Sequence, residues 1–210
     1  MSIAEKITRA KADLDEVYAA GKQAEYDAFW DGLQDYGNRY DYASGFNNVG
    51  WTDATFKPKY DIVVRGNGYG VFSYSRFTEL KKTVDVTQAT SIGAMFYTCT
   101  ILKTINRLVV AESTRFDSTF GNCHALENLT IEGTIGQNGF NVQWSTKLSK
   151  ASITSIIDAL STTTSGLTVT LSQTAVNNAF ATSEGAADGS TSEEWLALVA
   201  TRSNWTISLA

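Results

Sequence analysis

The 210-residue sequence is poor in the side chains on which metal sites, disulfide frameworks and much acid–base catalysis are built. It has one histidine, two cysteines and one proline. So few His and Cys exclude a His/Cys metal site and a disulfide scaffold. A single proline beside 16 glycines excludes collagen-like and proline-rich classes. No apolar run approaches the roughly 18 residues of a membrane span, so no membrane insertion is expected. The opening Met1-Ser2-Ile3-Ala4-Glu5-Lys6 lacks the basic-then-apolar layout of a secretory signal. No basic cluster offsets the net charge of −5, which argues against nucleic acid as a partner. What is present, 43% hydrophobic and 19% charged residues, describes a soluble globular chain of one domain or a domain with an appendage.

The charge is unevenly placed. Residues 1–38 carry eight acidic and four basic side chains, which is −4 of the total −5. The rest is nearly neutral and rich in Thr, Ser, Asn and aromatics, a composition suited to strands and turns. Ser2 with Glu5 forms a capping-box pattern, and Ile3, Ile7, Ala10, Leu14 and Val17 follow at the 4-3-4-3 spacing of a short coiled-coil seam. Gly21 interrupts it, and Tyr26, Phe29, Trp30 and Leu33 mark a second helical face. Two heptads are too few for a stable isolated coil. The seam therefore packs on its own domain or serves as an oligomerisation or docking helix. From Tyr36 to Tyr60, aromatics are scattered among Gly, Asn and Asp without a period. Such a loop covers the open end of a core or presents a ligand platform.

The most informative feature is a repeat of 24 residues. Phe72, Phe96 and Phe120 are 24 apart, with Trp144 at the next step. Ser75, Cys99 and Cys123 hold the same register, as do Ile92, Phe116 and Phe140, and Ile62, Val86 and Val110. Phe96-x-x-Cys99-x-x-Leu102-x-x-Ile105 matches Phe120-x-x-Cys123-x-x-Leu126-x-x-Leu129. Units too small to close their own cores stack as a solenoid and align like residues inside. The Leu-x-x-Ile/Leu stretches are expected to supply the strands, and Phe and Cys the opposite inner wall. Cys99 and Cys123 read as small buried hydrophobes with free thiols.

Preceded by Ser91-Ile92-Gly93-Ala94-Met95, this pattern resembles the bacterial surface-antigen (BspA-like) leucine-rich repeat. The resemblance covers residues 62 to 148, about two-fifths of the chain, with Ser75 and Lys147 departing from the Cys position. It implies a right-handed solenoid with a ligand-facing surface, and binding in place of catalysis. Val17-Tyr18, Ala20-Gly21-Lys22, Tyr26-Asp27-Ala28-Phe29-Trp30, Gly50-Trp51-Thr52, Phe56-Lys57-Pro58-Lys59-Tyr60-Asp61, Gly133-Thr134-Ile135-Gly136 and Asn204-Trp205-Thr206-Ile207 further resemble short repeat proteins encoded in phages and prophages of gut bacteria. That second resemblance implies a virion or tail-associated protein and brings no catalytic residues with it.

After Leu148 the repeat stops. Ser149 to Leu160 is expected to be a helix with Ile153, Ile156, Ile157 and Leu160 on one face. A strand through Leu167, Val169 and Leu171, a short helix Ser172 to Phe180 and an exposed loop Thr182 to Ser190 follow. Ser190 with Glu193 is read as a second capping box, opening a helix through Trp195, Leu198 and Val199. Trp205, Ile207 and Leu209 form a last strand. The expected fold is thus α/β: a leucine-rich-repeat solenoid of short parallel strands with about 24-residue spacing. The divisions are an N-terminal helical segment (1–38), an aromatic-rich loop or N-cap (39–61), repeats (62–148) and a C-terminal α/β cap (149–210).

Catalytic motifs are weak. Gly66-Asn67-Gly68-Tyr69-Gly70 lacks the helix and the ribose-binding acid of a dinucleotide fingerprint and reads as a turn. His124 beside Cys123 suggests a nucleophile–base pair, but strand neighbours point to opposite faces. Glu112 and Asp117 could in principle act as acid and base, but they read as solvated loop carboxylates. No catalytic, cofactor or metal residues are expected. Tyr69, Tyr74 and Tyr97 are the candidate ligand contacts, for a host-surface protein or glycan. The N-terminal helix would contact other virion proteins or itself. A virion assembled in the host cytoplasm is the expected location. The alternative is an adhesin or interaction module on a bacterial surface.

Overall fold

The computed structural model of the chain describes residues 9–10, 12–13, 52–54, 58, 61–181 and 188–210. Its spine is a parallel-strand solenoid. Strands β1 (Ile62–Asn67), β2 (Glu79–Leu80), β3 (Val84–Ser91), β4 (Thr104–Val110) and β5 (Asn128–Gly133) form one sheet. Val84 lies opposite Leu108, and Thr104 opposite Asn128, each a step of 24 residues. Apolar residues point inward: Val84 and Val86 from β3, Leu108 and Val110 from β4, and Leu129 and Ile131 from β5 are buried at alternate positions, and Ile105 is buried across a register shift in β4. The outer sides carry polar pairs, including Arg65 Nε to Gln88 Oε1 at 2.9 Å and the exposed Arg107–Glu132 ion pair at 2.6 Å.

The wall opposite the sheet is made of successive turns. Within one coil the amides of Met95, Tyr97 and Cys99 donate to the carbonyls of Ile92, Ala94 and Phe96. Between coils, Phe72 N donates to Met95 O and Phe96 N to Thr119 O, both at 2.9 Å. Backbone groups of the turn wall are therefore paired coil to coil, as they are in the sheet. The Phe column stacks behind this wall. Phe72, Phe96 and Phe120 have ring centroids 5.6 and 5.7 Å apart and interplanar angles of 13° and 16°. Cys99 Sγ donates to Phe72 O, and Cys123 Sγ to Phe96 O, so each thiol ties its coil to the preceding one. Both cysteines are free and buried. Burial pushes the Cys99 thiol up to about 12 and raises Cys123 as well.

Each turn wall holds two left-handed residues at the same 24-residue step. Gly70, Ala94 and Ser118 have φ of 66°, 51° and 55°, and Tyr74, Thr98 and Asn122 have φ of 61°, 59° and 60°. Only the first of these is glycine. Thr98 is the least suited, because a β-branched side chain crowds the backbone at positive φ, whereas Asn tolerates it. Thr98→Asn is expected to raise stability by about 0.5–1 kcal/mol, read as a higher urea midpoint at unchanged slope.

Beyond the sheet, helix α1 (Lys150–Ala159) is capped by Ser149, whose side chain accepts from Ser152 N. It buries Ile153, Ile156 and Ile157, with Leu160 buried just after it, on the expected face. The helix closes the open edge of β5 through two serines one turn apart. Ser152 Oγ accepts from Leu129 N at 2.9 Å and donates to Glu127 O, and Ser155 Oγ accepts from Ile131 N at 2.8 Å. An unpaired strand edge invites pairing with another chain, and these hydroxyls remove it. Ser152→Ala leaves the buried Leu129 amide without its partner, while Glu127 O keeps the Ser149 amide, and is expected to cost about 1–3 kcal/mol in denaturant unfolding. Strands β6 (Leu167–Leu171) and β7 (Trp205–Leu209) pair in parallel as a second sheet, with α2 (Gln173–Phe180) and α3 (Glu193–Ala200) between them in sequence. Glu112 fastens this segment to the coils by accepting from Ser161 Oγ and Thr164 Oγ1, and these bonds lower its carboxyl pKa.

Several expectations need correction. Ile62 pairs with Val84, not Val86, because the first step is 22 residues and bulges interrupt the β1–β3 register. A shift of two keeps the same side chains inward, so the core tolerates it. Trp144 does not extend the Phe column; it is 47% exposed. The buried Val142 takes the column position, since Ser145 N donates to Val142 O as Cys123 N does to Phe120 O, and Phe140 packs beside it, 5.5 Å from Phe120 and 5.0 Å from Phe116. Lys147 is exposed, while Ser145 is buried and donates to Cys123 O. Ser192, not Ser190, caps α3, since the Ser190 hydroxyl is engaged by Asp188 in a 3-10 turn. Within the expected loop Thr182 to Ser190, Gly189 is buried, and residues 182–187 lie outside the described residues. Glu112 is a bonded tie and not a merely solvated carboxylate. The strand β1 runs on through Asn67, so the expected turn opens only at Tyr69.

Of the N-terminal seam, Ala10 is described; it is helical and half-buried. Ile3, Ile7, Leu14 and Val17 lie outside the described residues, as does most of the aromatic segment. Within that segment Thr52 pairs with Arg76, a step of 24, and Asp53 accepts from Thr78 N and Oγ1.

Candidate functional site

Tyr69, Tyr74 and Tyr97 come together on the turn wall. They line one groove of about 320 Å³ with Gly70, Ala94 and Ser118. The repeat explains the convergence. Tyr69 lies one step before Gly93 and Tyr97 one step before Gly121, and each ring rests on that glycine in the next coil. A Cβ on Gly121 would stand 2.7 Å from Tyr97 Cδ2, and one on Gly93 3.1 Å from Tyr69 Cδ2. Tyr74 meets Tyr97 edge to face with centroids 5.9 Å apart. Tyr69 and Tyr74 are 52% and 50% exposed, while Tyr97 is half-buried. Tyr69 and Tyr97 are thus held from below by the backbone, Tyr74 is held by the Tyr97 ring, and the groove is open to solvent above.

A second, larger groove of about 650 Å³ continues from Tyr97 towards the junction of the last coil with β6. Trp144, Asp117, Asn122, Asn138 and Gln143 line it. The His124 ring meets Trp144 edge to face at 5.9 Å. The sequence does not reveal this groove, because the 24-residue count puts Trp144 in the core column and Asp117 reads as a solvated carboxylate. The available signal was the run Asn138-Gly139-Phe140-Asn141, in which a second Phe precedes the tryptophan by four residues.

Cys123 and His124 diverge, one buried and one exposed, but in a turn and not on a strand. Cys123 is buried with a raised pKa, the reverse of an activated nucleophile. Among the described residues no three His, Cys, Asp or Glu side chains cluster closely enough to hold a metal ion. No helix among them is long and apolar enough to cross a membrane. Comparison with protein-family models, with curated proteins and with solved structures finds no match to this chain.

Proposed function

We propose that the chain is a non-catalytic, virion- or tail-associated phage protein that binds a host-surface ligand through the turn wall of a leucine-rich-repeat solenoid. The observation that carries this reading is the convergence of Tyr69, Tyr74 and Tyr97 on one solvent-facing groove, with Tyr69 and Tyr97 seated on glycines of the neighbouring coil. Aromatics with polar tips supply contact area at low conformational cost. Rigid backbone beneath them lowers that cost further. The BspA-like pattern and the phage-type sequence blocks support the setting. In it, the N-terminal helix docks the chain onto other virion proteins or onto itself.

Mass spectrometry of purified phage particles tests the assignment. The chain is expected among the particle proteins, and its absence would overturn the virion reading. Light scattering of the full chain against one lacking residues 1–38 tests the handle. A larger assembly is expected for the full chain, and monomers in both samples would end that part of the proposal.

A further inference from the structure

The groove beside Trp144 has the chemistry of a carbohydrate site, and we infer that it binds a neutral glycan. This inference rests on the binding role proposed above and names the class of ligand. Its volume of about 650 Å³ suits one or a few sugar rings, since small-ligand sites span roughly 300–1,000 Å³. Trp144 supplies an exposed indole on which the apolar C–H face of a pyranose can lie, and Tyr97 supplies a second ring.

The polar groups match sugar hydroxyls, each of which both donates and accepts. Among the described residues the Asp117 carboxylate has no hydrogen-bond or ion-pair partner, so its acceptors are free. Asn138 spends its carbonyl oxygen on Thr168 N, and Asn141 spends its own on Gln143 N. Those bonds leave the NH2 donors of both unused, at residues that line the groove. Fixed donors beside a free carboxylate can hold two adjacent hydroxyls of one ring at once. Asp117 is the single charged residue among the described residues lining the groove, and none is basic. An acidic sugar would meet repulsion without a counter-charge, so the ligand is neutral.

A protein partner is less well served. The exposed large hydrophobic residues among those described are Tyr69, Tyr74, Trp144 and Leu196. The first three are amphipathic rings, and among the described residues there is no broad aliphatic patch of the kind found at the centre of stable protein interfaces.

The full chain should be tested against immobilised maltohexaose, chitohexaose and a linear galactose oligomer, with 3′-sialyllactose as the acidic control. Binding to at least one neutral oligosaccharide is expected. Trp144→Ala should weaken it at least about tenfold, with Trp144→Phe retaining most of it and 3′-sialyllactose not retained. Circular dichroism melting verifies that the variants are folded, as expected for an exposed position. Binding to none of the neutral probes, binding unchanged in Trp144→Ala, or preference for the sialylated control would overturn the proposal. Adsorption to cells of gut bacterial isolates separates this outcome from failure of the binding role. Loss after periodate treatment of the cells supports a glycan. Loss after protease treatment alone assigns a protein receptor and overturns the glycan while leaving the binding role. Adsorption to none of the isolates overturns both.

Discussion

Replacing Phe96 by alanine is expected to destabilise the chain by about 3–5 kcal/mol, a large share of the roughly 5–15 kcal/mol that holds a typical domain folded. Phe96 is fully buried and stacked between Phe72 and Phe120, at 5.6 and 5.7 Å. Its carbonyl accepts from Cys123 Sγ, and its amide donates to Thr119 O. Removing the ring opens a cavity between three coils that are also fixed to one another by backbone bonds on both walls. The neighbours therefore have little freedom to collapse into it. Trp144→Ala, at the fourth position of the same 24-residue series, is expected to cost less than about 1 kcal/mol because it empties no core. Denaturant unfolding of the two variants side by side measures the difference. Equal losses would mean that Trp144 stands in the column after all.

The second large effect is expected at Gly133. It ends β5 with φ of +97°, opposite Val110. A Cβ there would lie 2.0 Å from Val110 O and 3.1 Å from Val110 C, both backbone atoms of the adjacent strand. Neither can move without breaking the β4–β5 pairing, so Gly133→Ala combines left-handed strain with a backbone clash. The expected cost is at least about 3 kcal/mol. Gly166 isolates the first of these terms: its φ is +73°, yet nothing stands within 4 Å of its Cβ position. Gly166→Ala is expected to cost only about 1 kcal/mol. Similar melting temperatures for the two variants would show that the close approach of Gly133 to β4 is wrong.

The solenoid was legible because its core is written at a fixed interval. Phe72, Phe96 and Phe120, and Cys99 and Cys123, each repeat the same neighbours, so one residue's environment foretells the next. The α1 face was equally readable from Ile153, Ile156 and Ile157. What escaped was whatever broke the interval. The last turn comes two residues early: Val142, Ser145 and Leu148 repeat the backbone bonds of Phe120, Cys123 and Leu126, which leaves Trp144 outside the column that a strict count gives it. The first step is two residues short, which an alternating strand conceals because the inward set is unchanged. Closure of the β5 edge by Ser152 and Ser155 carried no apolar signal, since hydroxyls on a helix ordinarily read as solvent-facing. The left-handed positions were also invisible: Tyr74, Ala94, Thr98, Ser118 and Asn122 share a backbone conformation without sharing a residue type.

The candidate site shows the same division. Tyr69, Tyr74 and Tyr97 were named as exposed aromatics, and the coil geometry brings them to one groove. The sequence shows Asp117 only as a solvated loop carboxylate and gives no sign of Asn138, because their free hydrogen-bonding groups become apparent only when their neighbours' bonds are known.

The binding account stands or falls on which wall of the solenoid touches the ligand. Two double variants of the full chain, one per wall, test it by adsorption to bacterial cells that take up the parent chain. Tyr69→Ala with Tyr97→Ala alters the turn wall, and Gln88→Ala with Arg107→Ala alters the exposed side of the sheet. The turn-wall variant is expected to lose at least about tenfold in affinity, while the sheet variant stays within about twofold, as exposed polar pairs contribute little. Full adsorption by the turn-wall variant together with loss in the sheet variant would contradict the account and move the ligand to the strands.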